Sequence, residues 1–165
     1  VANTQAYSVA SSNTTIVADA TLVIIHTAST LVRGSSIEIL RCWASQHGTS
    51  TSQNLGMLIA QKATAFPTVT STTPSPLTLG GPASGITGGT AGAAGTAGTD
   101  ASAEGGGAVT NIITDGFNNL NGFLWVPTPE ERLRLPSDTA VILKIVGTPT
   151  TLTGWDFGVI YQELV

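Results

Sequence analysis

The stretch from Gly80 to Gly107 constrains this chain more than any other. It reads GGPASGITGGTAGAAGTAGTDASAEGGG, with eleven glycines, no aromatic residue and one large aliphatic, Ile86. Such a segment cannot bury enough apolar surface on its own to offset the entropy of ordering it. Loops of this length without regular structure are usually functional or act as linkers. The flanks on both sides are short, Thr- and Val-rich segments of β character. The expected organisation is one β-domain spanning residues 1–165, interrupted by an extended Gly-rich arm at 80–107.

The strand pattern supports this. Ala2–Val9 and Thr14–Ala18 are β-prone pieces separated by a turn-like Ser-Ser-Asn-Thr cluster. Thr21–Thr27 is a continuous apolar run, suited to burial on both faces. Ser36–Ser45 alternates Ile37, Ile39, Arg41 and Trp43 against Glu38, Leu40, Cys42 and Ala44, which places Trp43 in the core. Leu55–Ala65 reads as a strand rather than a helix, given Gly56 and its β-prone neighbours. After the arm come Ala108–Thr114, a turn at Asp115-Gly116, a loop at 118–122, Phe123–Val126, Arg132–Leu135, Ala140–Val146 and Trp155–Leu164. Thr128, Pro129 and Glu131 suggest one helical turn with a capping box. About eight substantial strands and no long helix predict an all-β, jelly-roll-like two-sheet sandwich. An immunoglobulin-like sandwich comes second, since a lone cysteine cannot supply its usual disulfide.

Charge narrows the function. Charged residues make up 10% of the chain, against about 25% in ordinary soluble proteins. That depletion suits a surface partly covered by other protein, as in an obligate oligomer. The net charge of −4 and only six cations argue against nucleic acid as a partner, because such binding rests on phosphate neutralisation. Cys42 is the only cysteine, which excludes an intrachain disulfide and a cysteine metal cluster. The apolar run Ala20–Ile25 is far shorter than the roughly 20 residues of a membrane-spanning helix, so no membrane partner is expected. The start, Val1-Ala2-Asn3-Thr4-Gln5, has neither a charged region nor a hydrophobic signal region. Loss of an initiator Met explains Val1 more simply than a cleaved signal.

No residue pattern carries enzyme chemistry. His26 sits in an apolar strand and reads as a satisfied core histidine, whereas His47 sits in a polar loop and reads as solvated. Their spacing matches no metal motif, and neither a GxSxG elbow nor a phosphate loop occurs. Glu130 and Glu131 are neighbours suited to capping or solvation. Asp115, Asn118, Asn119 and Asn121 lack calcium-loop spacing and read as turn formers. Asn13-Thr14-Thr15 matches a glycosylation sequon, a weak signal without secretion. No cofactor or metal is expected.

Six residues stand out as a candidate protein interface. Gly89, Gly92, Gly95 and Gly98 recur every third residue, allowing close backbone approach to a neighbour. Trp125 and Trp155 flank loops, as interface anchors or satellite core. Three blocks, Ile86–Gly98, Leu120–Arg132 (LNGFLWVPTPEER) and Leu152–Gly158 (LTGWDFG), resemble small structural proteins of tailed bacteriophages of the capsid decoration, or cement, type. The resemblance covers the chain from the arm onward. It implies a jelly-roll subunit of the virion, often a homotrimer, bound to the major capsid protein on the outer capsid surface. The alternative from another class is a carbohydrate- or receptor-binding β-module of a tail or fibre, with Trp125 or Trp155 as a stacking platform. On the decoration reading the arm packs along a sister subunit or the capsid, and shortening Ser84–Glu104 leaves the β-domain folded.

Overall fold

A computed structural model describes residues 5–30, 32–89 and 92–164. In chain order the strands are β1 (Ala6–Thr14), β2 (Thr21–His26), β3 (Ile37–Gln46), β4 (Asn54–Lys62), β5 (Thr68–Ser71), β6 (Ser75–Pro76), β7 (Thr87–Gly88), β8 (Thr96–Ala103), β9 (Val109–Asn118), β10 (Phe123–Trp125), β11 (Arg134–Leu135), β12 (Ala140–Val146) and β13 (Trp155–Glu163). A single 3₁₀ turn at Pro129–Glu131 precedes β11. It forms where predicted but without the capping box, because Thr128 turns its hydroxyl to the Glu131 carboxylate instead of a backbone N–H.

Two antiparallel sheets face one another. The first has the order β10-β3-β13-β1-β6, with β11 on the end of β3; the second has β5-β8-β2-β12-β4-β9, with β7 on β8. Take β1, β2, β3, β4, β9, β10, β12 and β13 as first to eighth. Their order is then 6-3-8-1 in one sheet and 2-7-4-5 in the other. That is the jelly-roll arrangement of two interlocked Greek keys. The fold is therefore an all-β two-sheet sandwich, as the strand pattern predicts.

Alternation along the central strands builds two cores. Val23 and Ile25 of β2, Met57 and Ile59 of β4, and Val141, Leu143 and Ile145 of β12 point into the main core between the sheets. There they meet Ile37, Ile39, Phe157, Val159 and Tyr161. The intervening residues Ile24, Leu58, Ala60, Ala140 and Ile142 point the other way and form a second, smaller core with Phe66, Val69 and Ala101. The continuous apolar run of β2 is thus buried on both faces.

What covers the outer face of the second sheet is the insertion between β4 and β9, and this corrects the expectation for 80–107. The segment is no free arm; it packs on its own domain. β5 and β8 extend the second sheet beyond β2, and β6 pairs with β1 across on the first sheet. The insertion therefore closes that side of the sandwich. Ile86, its one large aliphatic, is fully buried in the main core. Beyond β8, Glu104 accepts hydrogen bonds from the Thr21 backbone N–H and hydroxyl, and Lys144 approaches it to 3.5 Å. The Lys62 ammonium then donates to the Gly105 and Gly107 carbonyl oxygens, each at 3.1 Å. A strap thus crosses the sheet from β2 over β12 to β4. A Cβ on Gly107 would overlap the Thr64 carbonyl, so the glycines serve close approach within the molecule.

Three local expectations also change. Ser11 to Thr14 does not break the first strand; it carries an irregularity in the β1–β13 register, and β1 ends at Thr14 rather than restarting there. The region called a turn at Asp115-Gly116 lies inside β9, held by nine residue pairs to β4. Cross-strand pairing such as Leu55 with Phe117 overrides the local turn propensity. Finally, the β3–β13 register shifts between Ile160 and Tyr161, opposite Arg41 and Ile39. This bulge reverses the phase of β3, so Cys42 and Ala44 point inward and Trp43 points out.

Candidate interaction surface

The predicted interface residues end up in different places. Gly89 donates its N–H to the Ala97 carbonyl, and Gly98 lies in β8 between Ile24 and Ser71. Gly95 donates to the carbonyls of His26 and Thr27. Gly92 has φ +64 and offers its carbonyl to His26 Nδ1 at 2.6 Å. All four are used inside the domain. Trp155 is fully buried, donates Nε1–H to the Thr151 carbonyl at 3.2 Å, and meets Phe117 edge-on at 6.4 Å. It is core, neither an anchor nor a platform. Trp125 is half-buried on the edge strand β10 and packs against the main core.

The two histidines have partners within the domain, and Glu163, which the sequence does not single out, holds the insertion. His26 is buried, stacks on Phe66 at 4.7 Å and reaches Asp138 at 3.2 Å. His47 is exposed and bonds Asp156 at 2.7 Å. Glu163 is 1% exposed. It accepts hydrogen bonds from Ser84 at 2.6 Å, the Gly85 N–H at 2.7 Å and Arg33 at 3.1 Å. Glu163 thereby roots the insertion at the end of β13. Nothing in the sequence links these residues, because 78 positions separate Gly85 from Glu163.

The outer face of the first sheet is different, because among the described residues no segment crosses it as the strap crosses the second. One row across it runs Leu124, Trp43, Gly158, Ala10 on β10, β3, β13 and β1. A Cβ on Gly158 would lie within 2.8 Å of Ala10 Cβ and would overlap the far ring of the Trp43 indole. The glycine thus lets the indole lie across the sheet. The next row holds Arg41, Ile160 and Ser8. The Arg41 guanidinium stands 5.4 Å from the Trp43 ring centroid, within cation–π range. Leu124 is 60% exposed, and Ile160 is half-buried.

Beyond this patch the face ends in a closed polar cluster. Glu38, 3% exposed, accepts from Arg134 at 3.0 Å, from Arg132 at 3.3 Å and from Gln162. Burial pushes its carboxyl up, and these hydrogen bonds with the Arg134 charge outweigh that, holding it below the usual range.

Two other surfaces are weaker candidates. Strand β9 is a long edge, but a register shift between Ile59 and Ala60 and the inward-facing Asp115, opposite Met57, both blunt it. A cleft of about 240 Å³ beside it is lined by Ile112, Leu133, Leu135 and Pro136, smaller than the roughly 300–1,000 Å³ of small-molecule sites. The Trp43 face is visible in the sequence as Arg41 and Trp43, but simple alternation from Ile37 and Ile39 points both inward. Neither a protein-family model, nor a curated protein, nor a solved structure matches this chain.

Proposed function

We propose that this protein is a virion structural protein of a tailed bacteriophage. In this reading it decorates and cements the outer surface of the head by binding the major capsid protein, as a homotrimer. The observation that carries the reading is the uncovered outer face of the first sheet. Trp43 and Arg41 are of the residue types that dominate binding energy at protein interfaces. They lie side by side on the outer face of the sheet, flanked by exposed Leu124, in a chain otherwise poor in charge. The resemblance of the three sequence blocks supports the same reading. The jelly roll alone does not, since that architecture serves capsid proteins, lectins and cupins alike.

The test is stoichiometry on the parent particle, by mass spectrometry or cryo-EM. A copy number that scales with the shell subunits, lost in a Trp43→Ala, Leu124→Ser double variant, is expected. A copy number tied to tail symmetry would replace this reading with the carbohydrate- or receptor-binding one. That second reading now loses Trp155 to the core and rests on Trp43 and Trp125.

A further inference from the structure

The six cations of this chain can be accounted for one by one. Arg33 bonds Glu163 and the Tyr7 hydroxyl. Lys62 bonds two strap carbonyls. Arg132 and Arg134 share Glu38, and Lys144 lies between Asp19 and Glu104. Arg41 alone has no carboxylate, carbonyl or hydroxyl partner among the described residues. It stands beside the Trp43 ring, and it is exposed. The carboxylates on the same face are already committed. Glu38 is held by its two arginines, and Asp156 accepts from His47 and from the Asn13 N–H at 2.9 Å.

Resting on the decoration reading, we infer that the capsid surface presented to this face carries a carboxylate that Arg41 engages, with apolar side chains around it meeting Trp43 and Leu124. A guanidinium offers a planar fork of donors that matches a carboxylate through two parallel hydrogen bonds. Stacking on Trp43 restricts the side chain before contact, which lowers the entropy lost on binding. Charge complementarity also selects the partner. In a chain of net charge −4, this side of the face is positive, because Arg41 is unpaired and the Arg132–Arg134 pair outnumbers Glu38. A partner carboxylate is drawn here rather than to the rest of the surface, which fixes the docking register.

The test uses particles depleted of this protein and rebound with purified full-length variants at low and high salt. Wild type should bind, and more weakly at high salt. Arg41→Met keeps the stem against Trp43 and removes the fork; it should bind at least about tenfold more weakly, in the hot-spot range, and lose most of the salt dependence. Arg41→Lys should fall between, because a point charge replaces the fork. Arg41→Glu should abolish binding. Unchanged thermal unfolding of Arg41→Met would confirm that the loss lies in attachment. If wild type binds and Arg41→Met binds equally well at all salts, the carboxylate partner is wrong while the decoration reading stands. Wild type that does not bind shell at all takes both down. Release of bound protein by millimolar glucuronic acid would assign Arg41 to an acidic sugar and overturn the inference.

Discussion

The two outer faces of this sandwich start from the same β-strand chemistry and end differently. The second sheet points Ile24, Leu58, Ala60 and Ile142 outward, and the insertion buries them under Phe66, Val69 and Ala101. The first sheet points Trp43, Leu124 and Ile160 outward, and no segment among the described residues covers them as the insertion covers the second sheet. A chain that lays over forty residues across one apolar face and leaves the other uncovered among the described residues gives the two faces different parts in folding. Burying one large aliphatic side chain contributes about 1.5–3 kcal/mol, so the covered face belongs to folding. The other face forgoes that gain, and on the proposed reading it is the surface that meets the partner.

The sharpest way to break this comparison is to damage each face in turn. Replacing Ser84–Glu104 with a short Gly-Ser turn removes β8, Ile86 and the Glu104 latch, and uncovers the outer core. It should cost an amount comparable to the whole stability of a domain this size, about 5–15 kcal/mol. Loss of a cooperative thermal transition and binding of a hydrophobic dye would report it. Trp43→Ala with Leu124→Ser on the bare face should cost only about 1 kcal/mol by chemical denaturation. Equal losses from the two variants would erase the distinction.

A smaller effect separates adjacent glycines of the strap. Gly107→Ala drives a Cβ into the Thr64 carbonyl, whereas a Cβ on Gly106 meets nothing within 4 Å. The first should destabilise by about 2 kcal/mol and the second by less than about 0.5 kcal/mol. Matching denaturation midpoints for the pair would mean the strap does not press against the 64–65 turn.

The smallest effect sharpens the border of the bare face. The folded-state pKa of Glu38 lies below its unfolded value, so the unfolded chain binds the proton first as pH falls. The stability Glu38 contributes is therefore complete above the ordinary glutamate range, near about 4.3, and is lost as pH falls through the depressed folded value. Glu38→Gln should flatten that part of the stability–pH curve. An unchanged acid limb would show that the exposed Arg134 contributes nothing through this contact.

The sequence by itself determined the fold class and its central strands. Thr21–Thr27 and Ala140–Val146 are continuous apolar runs and Trp155–Leu164 alternates; both signals are local, so they survive without knowledge of neighbours. His26 as a satisfied core residue was legible for the same reason. Only tertiary structure decided where that stretch goes. Its order comes from groups far away in the chain: Glu163 for Ser84 and Gly85, Lys62 for Gly105 and Gly107, Thr21 for Glu104. Composition predicts disorder because it counts the side chains a segment brings, not the backbone partners it meets. Tertiary structure also chose which tryptophan faces out. One extra residue at the Leu40–Arg41 bulge reverses the phase of β3, and a bulge is set by the register of the partner strand, which a single strand does not contain.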